Sequence, residues 1–142
     1  MLLEDDAHDA FFVRRALEKA HIVNPLVHFQ TPAEARDHFT RTTHFDVPAL
    51  FVMDVNLGGV ETGIQFLHWL RQQPPPLGST PAMMLSGSRR GGDRQEAESL
   101  GSIHFLNKPV TEAALTTAIE SLGFLIVSLT GYVTERTIER RA

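Results

Sequence analysis

Five short apolar runs, each followed by a stretch of helical period, restrict the fold of this chain more than any other feature. Met1–Leu3, Leu26–Phe29, Ala49–Met53, Pro81–Leu85 and Ile103–Leu106 are too short for helices and predict strands. Between them, Ala7–Ala20 repeats Phe12, Val13, Ala16, Leu17 and Ala20 at helical spacing, and Thr62–Gln72 does the same with Ile64, Phe66, Leu67 and Leu70. Pro32–Phe39 and Asp93–Leu100 predict two more helices, and Thr111 opens a long one. Thr31 is placed to cap the Pro32 helix, with proline suited to its first position and Glu34 completing a capping box. Asn24-Pro25 and Pro74-Pro75-Pro76 mark breaks, because proline disfavours helix in the residue before it. Five βα units in succession predict an α/β fold, a five-stranded parallel sheet with helices on both faces. The expected architecture is doubly wound and flavodoxin-like, with strand order 2-1-3-4-5.

Charge and composition remove several function classes. A net charge of -4 disfavours a partner held by phosphate contacts, so no nucleic acid is expected. The short pairs Arg89–Arg90 and Arg140–Arg141 read as solvated surface. The chain has no cysteine, which excludes disulfides, thiolate metal sites and a cysteine nucleophile. Met1-Leu2-Leu3 runs straight into Glu4-Asp5-Asp6, unlike a signal peptide. The longest uncharged apolar-rich stretch, Phe124–Val133, is about half a membrane-spanning helix. A soluble cytoplasmic protein is therefore expected, with no membrane partner. The seven histidines, among them His38 and His44, show no metal spacing on a shared face. Gly58-Gly59 and Gly91-Gly92 lack the residues that surround a phosphate loop.

Chemistry collects where the strands end. The first runs into Glu4-Asp5-Asp6, the third into Asp54, the fourth into Ser86 and the fifth into Asn107-Lys108. In a parallel sheet these carboxyl ends share one edge, where ligands of such folds bind. Crowded carboxylates repel one another, and a divalent cation relieves that repulsion. Hard oxygen ligands suit Mg²⁺. Asp54 is then placed as a nucleophile towards phosphorus, with Lys108 and Ser86 able to meet phosphoryl oxygens. Taken singly each residue has a plainer reading: Asp6 as a helix cap, Asp54 as a loop acid, Lys108 as surface.

Glu4-Asp5-Asp6, Asp54, Ser86-Gly87 and Lys108-Pro109 together resemble the response-regulator receiver family, CheY-like, over roughly residues 1–122. Lys108 follows Ser86 by twenty-two positions, a spacing typical of that family. The resemblance implies that Asp54 is the phosphoacceptor. It further implies that Asp5, Asp54 and the backbone carbonyl of Asn56 hold Mg²⁺ or Mn²⁺, with Glu4 acting through water. Ser86 and Gly87 would lie at the phosphate, Lys108 would contact it, and Phe105 would be the aromatic that rotates on activation. The acceptor loop departs from the family pattern. Leu57 is followed by Gly58-Gly59 where many receivers have proline, and one extra residue precedes Gly63.

Leu115, Ala118, Ile119, Leu122, Leu125, Ile126 and Leu129 continue the helical period beyond Thr111. A helix reaching Ser128 would be about 27 Å long against about 17 Å for a five-residue strand, so it would overhang the sheet. The uncharged overhang resembles the extended last helix of small receivers that partner phytochrome-type histidine kinases. It predicts a homodimer through Leu122, Phe124, Leu125, Ile126 and Leu129, with 123–142 as extension and tail. The alternative is a helix that stops at Gly123 with a tail packed on its own domain.

The expected function is a single-domain response regulator that accepts a phosphoryl group from a histidine kinase and switches the surface of its last two helices. It would not be an enzyme beyond its own phosphotransfer and dephosphorylation. Two alternatives stand beside it. One is a Mg²⁺-dependent phosphatase resembling the haloacid dehalogenase group, which expects an acid where Asn56 stands; the other is a scaffold that signals without phosphorylation.

Overall fold

The computed structural model describes residues 1–41, 46–87, 91–101, 103–128 and 135–140. The elements in chain order are β1 (Leu2–Leu3), α1 (Ala7–Lys19), β2 (His28–Phe29), α2 (Pro32–Arg41), β3 (Phe51–Asp54) and α3 (Gly63–Arg71). They continue as β4 (Ala82–Ser86), α4 (Gly91–Ser99), β5 (Ile103–Asn107), α5 (Glu112–Ser121), β6 (Phe124–Ser128) and β7 (Arg136–Arg140). The first five strands form one parallel sheet in the order β2-β1-β3-β4-β5, as expected from the alternation. β3 is central, between β1 and β4, and every residue of β3 and β4 is buried.

Strand alternation splits the interior into two cores. Leu2, Val52, Met83 and Leu85 face one way and meet Ala10, Val13 and Ala16 of α1 and Leu115, Ala118 and Ile119 of α5. Leu3, Phe51, Met53, Ala82 and Met84 face the other and meet α2, α3 and α4 through Ala35, Phe39, Ile64, Phe66, Leu67, Leu70 and Ala97. Helices on both faces follow from this division. Phe12 was expected on the buried stripe of α1, but it is 39% exposed beside Phe11 at 53%. Ala10 takes the inward position instead, in helical phase with the buried Val13, and Phe12 lies off that stripe.

Local capping places the helices. Asp6 accepts from the backbone N–H groups of His8 and Asp9 at 2.8 and 3.0 Å and starts α1. Thr31 and Glu34 form the expected capping box of α2, and Thr62 and Gln65 form another on α3.

The last helix departs from expectation. α5 stops at Ser121, Leu122 caps it, and Gly123 adopts φ +90°, a left-handed stop that favours glycine. The chain then turns back as β6, which pairs antiparallel with β7. Alternation, not helical period, governs this stretch: Phe124 is buried, and Ile126 and Leu122 pack against the same core. Ile138 of β7 joins them, so the segment covers the α1–α5 face that an overhanging helix would have left bare. Asn24 fastens β7, its Oδ1 accepting from Ile138 N–H at 2.7 Å and from the Thr137 hydroxyl at 2.9 Å. The extended C-terminal helix is thus replaced by a hairpin packed on its own domain.

Leu129, Thr130-Gly131, Tyr132, Arg89–Arg90, Arg141 and His44 lie outside the described residues, as do the side chains of Leu125 and Arg140. Among the described residues no helix is long and apolar enough to cross a membrane.

Candidate functional site

Every strand end singled out in the sequence arrives at one edge of the sheet. Asp54 closes the central strand with only 4% of its surface exposed. Its Oδ1 accepts from the backbone N–H of Asn56 at 3.1 Å, and its Oδ2 accepts from Lys108 Nζ at 2.8 Å. Lys108 follows β5 and is held against the neighbouring strand by its own backbone N–H, which donates to the Ser86 carbonyl at 3.1 Å. Ser86, at the end of β4, is buried. Gly63 opens α3 hard against the acceptor strand: a Cβ there would lie 1.9 Å from the Asp54 carbonyl oxygen, so only glycine fits.

β1 contributes the acids. Glu4 is wholly buried; its Oε1 accepts from the Asp6 N–H at 3.1 Å, and its backbone carbonyl meets His28 Nε2 at 2.8 Å. Its Oε2 lies 2.8 Å from Lys108 Nζ, yet makes no hydrogen bond of good geometry. Burial pushes the Glu4 carboxyl up to about 7, with Asp54 repelling it and Lys108 pulling the other way. For Lys108 burial works to lower the pKa, but the hydrogen bonds to Asp54 and Asp9, the contact with Glu4 and the charge of Asp54 outweigh it and hold the ammonium above its ordinary value.

Asp5 is exposed, and its Oδ2 accepts from the Gly58 N–H at 2.8 Å. This bond accounts for the departure in the acceptor loop. Proline at position 58 would have no N–H to give, and a Cβ there would sit 2.7 Å from Asp5 Oδ2. The far end of the loop is tied by Glu61, which pairs with Arg36 of α2. Between the two ties Val60 stands fully in solvent, so the longer loop bulges outward and leaves the site intact.

Glu4, Asp5 and Asp54 each offer a carboxylate oxygen within 4.8 Å of the others, which is a ligand set for a divalent cation. The buried Glu4 Oε2, facing the cluster without a formed hydrogen bond, fits that assignment. Asn56 is adjacent through its backbone, and Phe105 is half-buried on β5 with the Arg94 guanidinium 5.8 Å from its ring centre. One participant escaped the sequence reading. Asp9, in the first turn of α1, lies 2.8 Å from Lys108 Nζ. Its only trace in the sequence is an acid four positions after Asp5, on the turn that Asp6 caps.

Of the residues expected at a dimer interface, Leu122, Phe124 and Ile126 are described and do not gather into an exposed patch, whereas Leu129 and the Leu125 side chain lie outside the described residues. Phe124 belongs to the chain's own core, and Leu122 and Ile126 pack against it.

Fold and site define a doubly wound α/β domain whose working edge joins an acidic pocket to one lysine. The sequence matches the response regulator receiver domain over residues 1–120, and the chain belongs to that family. No curated protein matches it. Among solved structures it is similar to the bacteriophytochrome response regulator RtBRR, with 28% identity and a TM-score of 0.79 over 91% of this chain and 80% of that one. It is also similar to the bacteriophytochrome response regulator AtBRR, with 29% identity and a TM-score of 0.76 over 91% of this chain and 94% of that one. The Mn²⁺-bound form of response regulator Rcp1 shares the fold at 23% identity and a TM-score of 0.68, over 84% of this chain and 89% of that one.

Proposed function

We propose that this chain is a response-regulator receiver in which Asp54 accepts a phosphoryl group from a histidine kinase. The observation that carries the reading is the Asp54 carboxylate, buried at the end of the central strand between Lys108 and the Glu4–Asp5 pair. A carboxylate oxygen of Asp54 attacks phosphorus, the P–N bond to the kinase histidine breaks, and its electron pair returns to the imidazole. Lys108 donates to a phosphoryl oxygen, and the Ser86 hydroxyl donates to another as it turns toward the phosphate. Asp5, Asp54 and the Asn56 carbonyl would hold Mg²⁺ or Mn²⁺, with Glu4 behind them. The cation would neutralise charge on the transferring group. Phe105 then moves with Ser86 and alters the surface of α4, β5 and α5.

The chain acts as a switch and not as an enzyme with a separate substrate. The position two residues after Asp54, where a phosphatase of the haloacid dehalogenase type needs an acid, holds Asn56. The bacteriophytochrome response regulators at 28% and 29% identity support a phytochrome-type kinase as partner. Homodimerisation rests on a different feature from the one the sequence suggested. β7 is bonded on its outer side to Val23 and Asn24, whereas β6 has no second neighbour among the described strands. An open strand edge invites pairing with a second copy.

The test is phosphoryl transfer from a radiolabelled small donor, such as acetyl phosphate, in Mg²⁺. The unaltered chain takes up label and Asp54→Asn takes up none; label on Asp54→Asn would refute the assignment.

A further inference from the structure

Lys108 has three N–H donors, and three carboxylate oxygens stand 2.8 Å from its nitrogen: Glu4 Oε2, Asp9 Oδ2 and Asp54 Oδ2. Two of the three partners change when Asp54 is phosphorylated. Asp54 exchanges its own oxygen for a phosphoryl oxygen, and Glu4 faces the cation pocket with Asp5. Asp9 is outside that pocket, is not the acceptor, and still makes a directional hydrogen bond to the ammonium. It comes from a different element, the first turn of α1, which Asp6 caps and so holds in place.

We propose that Asp9 is a positioning residue for phosphoryl transfer, holding the Lys108 ammonium over Asp54 from the α1 side. The inference rests on Asp54 being a phosphoacceptor. A lysine is a point charge on a four-carbon stem with many rotamers. It stabilises charge on an incoming phosphoryl group best when it is already aimed there. The Asp9 bond provides that aim and survives the exchange of the other partners. Lys108 is only 12% exposed, against 30% for Asp9, so the carboxylate meets the ammonium where it is already largely withdrawn from water.

Asp9→Asn keeps the side-chain shape and removes the charge; Asp9→Glu keeps the charge. At saturating Mg²⁺ and acetyl phosphate, Asp9→Asn takes up phosphoryl about tenfold more slowly, the loss expected for one charge-assisted bond, and Asp9→Glu recovers most of the rate. Titration calorimetry with Mg²⁺ separates positioning from ligation: Asp9→Asn keeps most of the cation affinity that Asp5→Asn loses. Equal losses in the two variants would make Asp9 a ligand and overturn the proposal. A second measurement needs no phosphodonor. NMR of the lysine ammonium groups gives slow proton exchange for Lys108 in the unaltered chain and fast exchange in Asp9→Asn. If that contrast appears but the unaltered chain takes up no phosphoryl group, the phosphoacceptor reading fails and the Asp9–Lys108 tether stands. If neither exchange nor rate responds to Asp9→Asn, the positioning role is wrong.

Discussion

Glu4→Gln replaces a carboxylate wholly shielded from water by a neutral group of the same shape. In the folded chain the Glu4 carboxyl is raised from 4.5 to about 7, first by burial and then by Asp54, against the pull of Lys108. Below pH 4.5 the group is protonated in both folded and unfolded chains and has no effect on stability. As the pH rises towards 7 the unfolded chain ionises freely and the folded chain resists, so stability present at low pH is progressively lost. A gap of this size corresponds to about 3 kcal/mol when complete, or roughly 6–12 °C in melting temperature for a domain of this size. Urea unfolding followed by the single tryptophan, Trp69, in EDTA at pH 5 and pH 8 measures it. Glu4→Gln should gain on the unaltered chain as the pH rises, becoming more stable at pH 8 by up to that amount. Mg²⁺ should then narrow the difference, because a cation beside Asp5 and Asp54 favours the ionised Glu4. A stability difference that does not change between pH 5 and pH 8 would refute the reasoning. So would a Glu4→Gln chain less stable at pH 8 in EDTA, since the Lys108 pairing would then outweigh desolvation.

Two further outcomes are expected. Gly58→Ala puts a Cβ 2.7 Å from Asp5 Oδ2, displacing the carboxylate from its N–H partner. Mg²⁺ affinity by calorimetry should fall about tenfold with melting temperature little changed, and an unchanged affinity would show that the Gly58–Asp5 bond does not shape the pocket. Val127→Lys places a charge on β6, on the face opposite Phe124 and Ile126. Sedimentation velocity should show a dimer for the unaltered chain and a monomer for the variant. A monomer for both, or a dimer for both, would exclude pairing through β6.

The strand-end set was legible because it depends on order along the chain. Strands buried on both faces must read as apolar runs, and a parallel sheet must bring their carboxyl ends together. Glu4, Asp54, Ser86 and Lys108 could therefore be assigned to one edge without knowing any distance, and the structure places them there. Asp9 was not legible in this way. It reaches Lys108 only because α1 leaves the sheet at an angle fixed by the Asp6 cap and by Ala10 and Val13 packing on β1 and β3. Gly58 was visible as a departure from the family, but its purpose depends on a bond to a residue fifty-three positions away.

The amino-acid sequence by itself determined the five βα units, their order in the sheet and the residues at the working edge. Periodicity and local capping carry that information, and both act over a few neighbouring residues. Only the tertiary structure decided the fate of the chain after Ser121. Leu122, Leu125 and Ile126 fit a helical period while Leu122, Phe124 and Ile126 fit a strand alternation, and over so short a run neither pattern prevails. The left-handed turn at Gly123, the bare α1–α5 face waiting for Phe124 and Ile138, and the Asn24 side chain that fastens β7 together select the hairpin. The glycine turn is a local signal, but the other two are not, because each needs a surface that exists only once the sheet and its helices have assembled.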